Sequence, residues 1–242
     1  MTTKSFEYHV LGPLGSDFWQ IKVLPELVPA MAMEIDWNRL GRRVMIDVRE
    51  GIIAWMNPSG PHEVLGDASD KVIEWTGQLS GLSTRSMRGT RWKGPDDPKN
   101  TGIEADAAFY IGINAECWYK ARRSGLKAVG VFEDKTPPNL VVEIEVTHLD
   151  VNKPNRYAKL GIREMWRVER NIEDEKVLVA ILDLQADGGP QEENKSRVLE
   201  GLTTANLPQA FELVEYGQIQ TLQNMLATEL AISPDLNLES GS

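Results

Sequence analysis

Cysteine is nearly absent from this 242-residue chain: Cys117 stands alone. A single thiol excludes an internal disulfide and a cysteine-based zinc site, and it fits a reducing, cytoplasmic setting. Long apolar runs are also missing. None approaches the roughly 18 residues that span a bilayer, so no transmembrane helix is expected. The first ten residues carry Lys4, Glu7 and His9 with no apolar stretch among them, and no secretory leader is visible. The absence of a GxxxxGK(S/T) loop argues against an ATP-driven motor within the chain. No zinc finger or recognition helix announces a nucleic-acid target. Internal repeats and long low-complexity linkers are lacking too.

Positive charge is in short supply overall, with a net charge of −10, which at first argues against a nucleic-acid partner. Its distribution changes that reading. Residues 171–242 hold 13 Asp and Glu against Lys176, Lys195 and Arg197, so the first 170 residues are neutral as a block. Within that block Arg85, Arg88, Arg91 and Lys93 form one acid-free basic stretch, and Lys120, Arg122, Arg123 and Lys127 form a second. Clustered cations can follow a phosphate backbone even when net charge hides them. Either stretch taken singly reads as a solvated surface, as does the acidic C-terminal third.

The hydrophobic share of 41% supports a packed core. Residues 1–33 read as a lead-in in which Pro13, Pro25 and Pro29 limit regular structure. Val44, Ile46 and Val48, then Ile52, Ala54 and Met56, alternate around Glu50-Gly51 and predict a hairpin. Leu65, Ala68, Val72, Trp75 and Leu79 recur at steps of three and four, one face of a helix that starts near His62. Residues 81–100 read as a loop with room for a short strand, and Asp96-Asp97 as turn chemistry. Ile103, Ala105, Ala107, Phe109 and Ile111 are expected on one side of a strand, with Glu104, Asp106, Ala108 and Tyr110 on the other. After an insertion holding Cys117, Pro137-Pro138-Asn139 introduces the most apolar strand. Leu140, Val142, Ile144 and Val146 share one face of it; Val141, Glu143, Glu145 and Thr147 share the other.

A short helix follows, with Asp150 or Asn152 as its cap candidate, Pro154 in its first turn and Gly161 at its end. Residues 165–168 and 177–184 read as strands and 218–230 as a helix. This order predicts one α/β domain with a mixed central sheet flanked by helices, over residues 34–232, and a flexible tail over 233–242.

Two glutamates two residues apart on a strand point into the same volume. Packed carboxylates resist ionising unless a cation lies between them. Mg²⁺ suits such a place because it takes oxygen ligands and keeps its waters. Asp106, on the polar face of a second strand, can grip the same ion. A bound ion would polarise a phosphate and lower the pKa of an attacking water. Lys153 can supply positive charge to the phosphate or the nucleophile. Spacing alone leaves open a plain half-exposed strand whose polar face meets water. Glu104 reads as solvated, His148 and Asp150 as turn and cap residues, and Tyr157 and Trp166 as packing between helix and sheet.

Several segments resemble one family in order. These are Asp47-Val48-Arg49-Glu50-Gly51 with Met56-Asn57-Pro58; His62 at the start of the first helix; and residues 102–111 around Asp106. Then come residues 137–147 around Glu143, the run Lys153, Tyr157 and Gly161-Ile162-Arg163-Glu164-Met165-Trp166, and Leu207-Pro208 before Phe211, similar to a C-terminal strand lead. From about Arg43 to Phe211 the chain resembles the Uma-two restriction endonucleases of the PD-(D/E)XK superfamily. The resemblance implies a restriction-endonuclease-like core and Mg²⁺-dependent cleavage of DNA, with Mn²⁺ as a possible substitute, and a homodimer. It also implies a catalytic set of Asp106, Glu143, Glu145, Lys153 and His62, with Asp106, Glu143 and Glu145 as metal ligands. Ala105 replaces the proline usual before the Asp. Glu145 stands where the wider superfamily keeps its lysine, and Lys153 looks like the compensating lysine.

Overall fold

The computed structural model describes residues 9–10, 18–28, 30, 43–47, 51–56, 60–87, 91–92, 103–145, 152–171 and 176–230. The first half contains β1 (His9–Val10), β2 (Phe18–Lys22), β3 (Arg43–Asp47), β4 (Ile52–Met56), α1 (Gly60–Leu79), β5 (Thr84–Ser86), β6 (Arg91–Trp92), β7 (Ile103–Glu104) and β8 (Ala107–Ile111). The second half contains α2 (Ile113–Ser124), α3 (Leu126–Glu133), β9 (Leu140–Glu145), α4 (Lys153–Lys159), β10 (Glu164–Arg170), β11 (Val177–Asp183), β12 (Gln191–Glu193), α5 (Leu207–Glu215) and α6 (Ile219–Glu229).

A mixed six-stranded sheet in the order β12-β11-β10-β9-β8-β5 organises the α/β fold. The β9–β10 pair is parallel and its other neighbouring pairs are antiparallel. Parallel neighbours need a crossover rather than a tight turn. Here the crossover carries α4, and the chain turns from it into β10 at Gly161, whose φ of +82° suits glycine.

Alternation along β9 sends its residues to two cores. Leu140, Val142 and Ile144 pack with Leu65, Val72, Trp166 and Phe211, under α1, α5 and α6. Val141 packs on the other face with Tyr110, Trp118, Val129, Tyr157 and Met165, under α2, α3 and α4. Burying a large apolar side chain contributes about 1.5–3 kcal/mol, so a strand with both faces covered is a rigid platform.

Several expectations shift. The hairpin forms between β3 and β4, but it belongs to a separate four-stranded sheet, β1-β2-β4-β3. The lead-in therefore contributes regular structure: β2 pairs with β4 from Phe18↔Met56 to Lys22↔Ile52. The segment after β8 forms two helices, because Ala115, Trp118 and Val129 cover the second core. Residues 207–215, likened above to a strand lead, form α5: Pro208 is set for a helix's first turn, and Ala210, Phe211 and Val214 are buried at helical spacing. Nor is the acidic C-terminal third all solvated surface. Asp183 is buried, and Glu215 accepts hydrogen bonds from Arg170. His148, Asp150, Asp96-Asp97 and the tail lie outside the described residues. Among the described residues no helix is long and apolar enough to cross a membrane.

Candidate active site

The expected strand over 103–111 is broken at Asp106, which sits in a bend between β7 and β8. Ile103 and Ala105 pack in the second core with Ala108 and Tyr110, whereas Ala107, Phe109 and Ile111 face the first. The phase of alternation thus flips at the bend, and a single two-sided strand does not form. The break has a use. The β8–β9 ladder ends with Ala107 opposite Val142, and one step further the Asp106 carboxylate takes over from the backbone. Its Oδ2 accepts the Ile144 N–H at 2.6 Å, a donor that would otherwise be buried without a partner.

His62, buried in the first turn of α1, places Nε2 3.1 Å from the same Asp106 oxygen. Asp106 is thereby fixed between a helix start and a strand end. Glu143, one residue before Ile144 on β9, is fully buried. Its two oxygens are held by α4: the Lys153 ammonium donates to Oε2 and the Tyr157 hydroxyl to Oε1. Lys153 and Tyr157 stand four residues apart, so a single helical face presents both. The Lys153 side chain keeps 17% exposure, which leaves its charge at the border of solvent.

Glu145 differs from both acids. Its side chain is only 4% exposed, yet neither oxygen has a hydrogen-bond partner among the described residues. Arg167 on β10 approaches, with Nε 3.7 Å from Oε2, within ion-pair range but beyond a hydrogen bond. Burial pushes the Glu145 carboxyl up to about 7; Lys153 and Arg167 pull it down, while Glu143 and Glu169 push it up. Two residues that sequence reasoning left out therefore belong here. Tyr157 packs as expected but also reaches Glu143 with its hydroxyl. Arg167 alternates with Trp166 and Val168, which face the first core, and so shares a face with Glu143, its register partner.

The carboxylates offer oxygen donors that suit a hard divalent cation, and the unpartnered Glu145 oxygens leave donor capacity to spare. Among the described residues, however, no three His, Cys, Asp or Glu side chains are grouped closely enough to enclose a metal by themselves. Mg²⁺ keeps several waters and needs only one or two carboxylates, so the donor set still fits it.

A second acidic pair lies where β10 begins and β11 ends. Glu164 accepts hydrogen bonds from Trp166 Nε1, Ser196 Oγ and Arg197 N, each at 2.7 Å, and burial raises its pKa. Asp183 accepts the Gln185 N–H at 2.9 Å and lies 3.2 Å from Arg197 Nε. This pair is satisfied and ties the 191–206 segment to the sheet. Of the basic stretches, Arg85 stacks over Trp118 at 4.1 Å and brings β5 against α2, where Lys120, Arg122 and Arg123 are exposed. Arg88 and Lys93 lie outside the described residues.

No curated protein matches the chain. Among solved structures it is similar to that of "a putative nuclease belonging to DUF820" from Anabaena variabilis ATCC 29413. The identity is 14% and the TM-score 0.46, over 73% of this chain and 97% of that one. The Uma2 family model, described as "Putative restriction endonuclease", matches residues 32–222, which include every residue placed above in the site. With most of its length matched, the chain belongs to the Uma2 family.

Proposed function

We propose that the chain is a metal-dependent endonuclease that hydrolyses phosphodiester bonds in DNA, with Mg²⁺ as its ion and Mn²⁺ as a substitute. One observation carries this reading. The Asp106 carboxylate holds the N–H of Ile144, the residue after Glu143 on β9, where the β8–β9 ladder ends, and a lysine from the crossover helix sits on Glu143. Asp106 and Glu143 would hold the ion, with Glu145 as a further ligand or as the base for the attacking water. The ion supplies phosphate polarisation and a more acidic water. Lys153 brings a positive charge to the solvent border, where it can stabilise a phosphate oxygen. His62 holds the Asp106 carboxylate in place through Nε2, and Tyr157 does the same for Glu143. A homodimer completes the reading, because one such site cuts one strand and a duplex has two.

Purified protein is expected to nick DNA in Mg²⁺ or Mn²⁺ and not in EDTA. Asp106→Ala or Glu143→Ala should abolish the activity, and unchanged cleavage in both variants would mean that the site is wrong. Running single-stranded DNA and RNA beside the duplex sets the substrate class.

A rival reading, a nuclease-fold module that binds nucleic acid or a protein partner without turnover, has one observation in its favour. The described residues alone do not enclose a metal. Absence of any Mg²⁺ or Mn²⁺ binding by calorimetry at millimolar concentration would select it.

A further inference from the structure

We propose that Arg167 is a substrate-binding residue that takes a non-bridging oxygen of a backbone phosphate, and that its loose pairing with Glu145 is the resting arrangement of that site. The inference rests on the nuclease reading and adds to it a residue from β10.

Arg167 stands beside Glu143 in the parallel β9–β10 register, on the face that also carries Glu145 and Glu169. Its approach to Glu145 is unfinished. At 3.7 Å no hydrogen bond forms, and Arg167 Nε and both Glu145 oxygens are buried without a partner among the described residues. Buried polar groups left unpaired are destabilising, so a purely structural pair is expected to close. Arg170, three residues along the same strand, shows a pair closed on the carboxylate side: its Nε is also unpartnered, but its Nη2 donates to both oxygens of Glu215, whereas neither Glu145 oxygen accepts a hydrogen bond.

The chemistry of the open pair selects its ligand. A planar guanidinium matches the oxygens of a phosphate with two parallel hydrogen bonds, which Lys153 cannot do. The Arg167 side chain is 12% exposed, mostly buried but not sealed. Lys153 meets Glu143 from α4 and Arg167 approaches Glu145 from β10, so two cations flank the carboxylates of β9. A phosphodiester drawn to those carboxylates by a divalent ion would carry the acceptors that Arg167 lacks.

The test uses the full chain and a fluorescently labelled DNA duplex, titrated in EDTA and again in Ca²⁺ over a range of salt. Arg167→Gln should bind about tenfold more weakly at low salt, and its log affinity should fall less steeply with log salt, by about one phosphate contact. Arg167→Lys should recover the salt slope but not all of the affinity. The thermal shift on adding Mg²⁺ should survive in Arg167→Gln, which separates phosphate binding from ion binding. If Arg167→Gln alone fails to fold, Glu145→Gln/Arg167→Gln compared with Glu145→Gln gives the same reading without a stranded carboxylate. Affinity and salt slope equal to those of the parent would make Arg167 only an internal counter-ion. A wild type that binds and cuts while Arg167→Gln binds equally well overturns this inference alone. A wild type that binds no duplex at any salt overturns the nuclease reading together with it.

Discussion

Lys153 is the residue on which the candidate site turns energetically, because the carboxylate it neutralises is fully buried. Lys153→Met keeps most of the apolar stem and removes the charge. Breaking a buried ion pair from one side costs about 3–5 kcal/mol, since the remaining charge is stranded. Two features lower that figure. Lys153 is itself partly exposed, and Tyr157 still donates to Glu143. A loss of about 2–3 kcal/mol is therefore expected from urea unfolding in EDTA, or a fall in Tm of roughly 5–10 °C for a chain of this size. In a Glu143→Gln background no charge is stranded, and the same substitution should cost less than about 1 kcal/mol, a coupling of about 1.5–2 kcal/mol. Added Mg²⁺ should stabilise Lys153→Met more than wild type, because the ion restores the missing positive charge. Equal losses in both backgrounds, with no extra response to the ion, would refute the placement of Lys153 on Glu143.

Glu145 gives the site a pH signature in the absence of metal. Its carboxyl is raised from 4.5 to about 7, so in that window the folded chain holds a proton that the unfolded chain has released, and stability falls as pH rises. Glu145→Gln should flatten this dependence and gain about 2 kcal/mol on wild type between pH 5 and 8, discounted from the full shift for the nearby cations; a difference that stays constant over that range in urea titrations would sink the idea. In the N-terminal sheet, Gly51→Ala should lower stability by about 2 kcal/mol or more. Gly51 has φ +68°, and an added Cβ would lie 2.0 Å from the Val23 carbonyl oxygen, so an unshifted Tm in a melting experiment would contradict this close approach.

How much of the site was legible in sequence depended on whether a partnership was local or set by register. Glu143 and Glu145 on one face of β9 follow from alternation, and Lys153 follows from its place at the start of the next helix, whereas Tyr157, one helical step of four further on, was read as packing alone. Asp106 is a different case. Ile103, Ala105 and Ala107 continue an apparent alternation, yet the alanines are small enough to be buried on either face, so nothing in the pattern marked the bend. The polar face of an unbroken strand had joined Asp106 to Glu143, and the resemblance agreed, but neither indicated the bend. Arg167 escaped notice because its neighbours Met165, Trp166 and Val168 are buried on both sides of β10 and leave no polar stripe to follow. The helices after β8 escaped notice because α2 covers its core with little more than Ala115 and Trp118 amid charged positions. What builds the candidate site is a ladder that stops one residue short: β8 begins at Ala107, the Ile144 N–H needs an acceptor, and the Asp106 carboxylate that supplies it is held one residue along β9 from Glu143. The backbone requirement and the candidate chemistry are met by the same side chain, and removing it would disturb both.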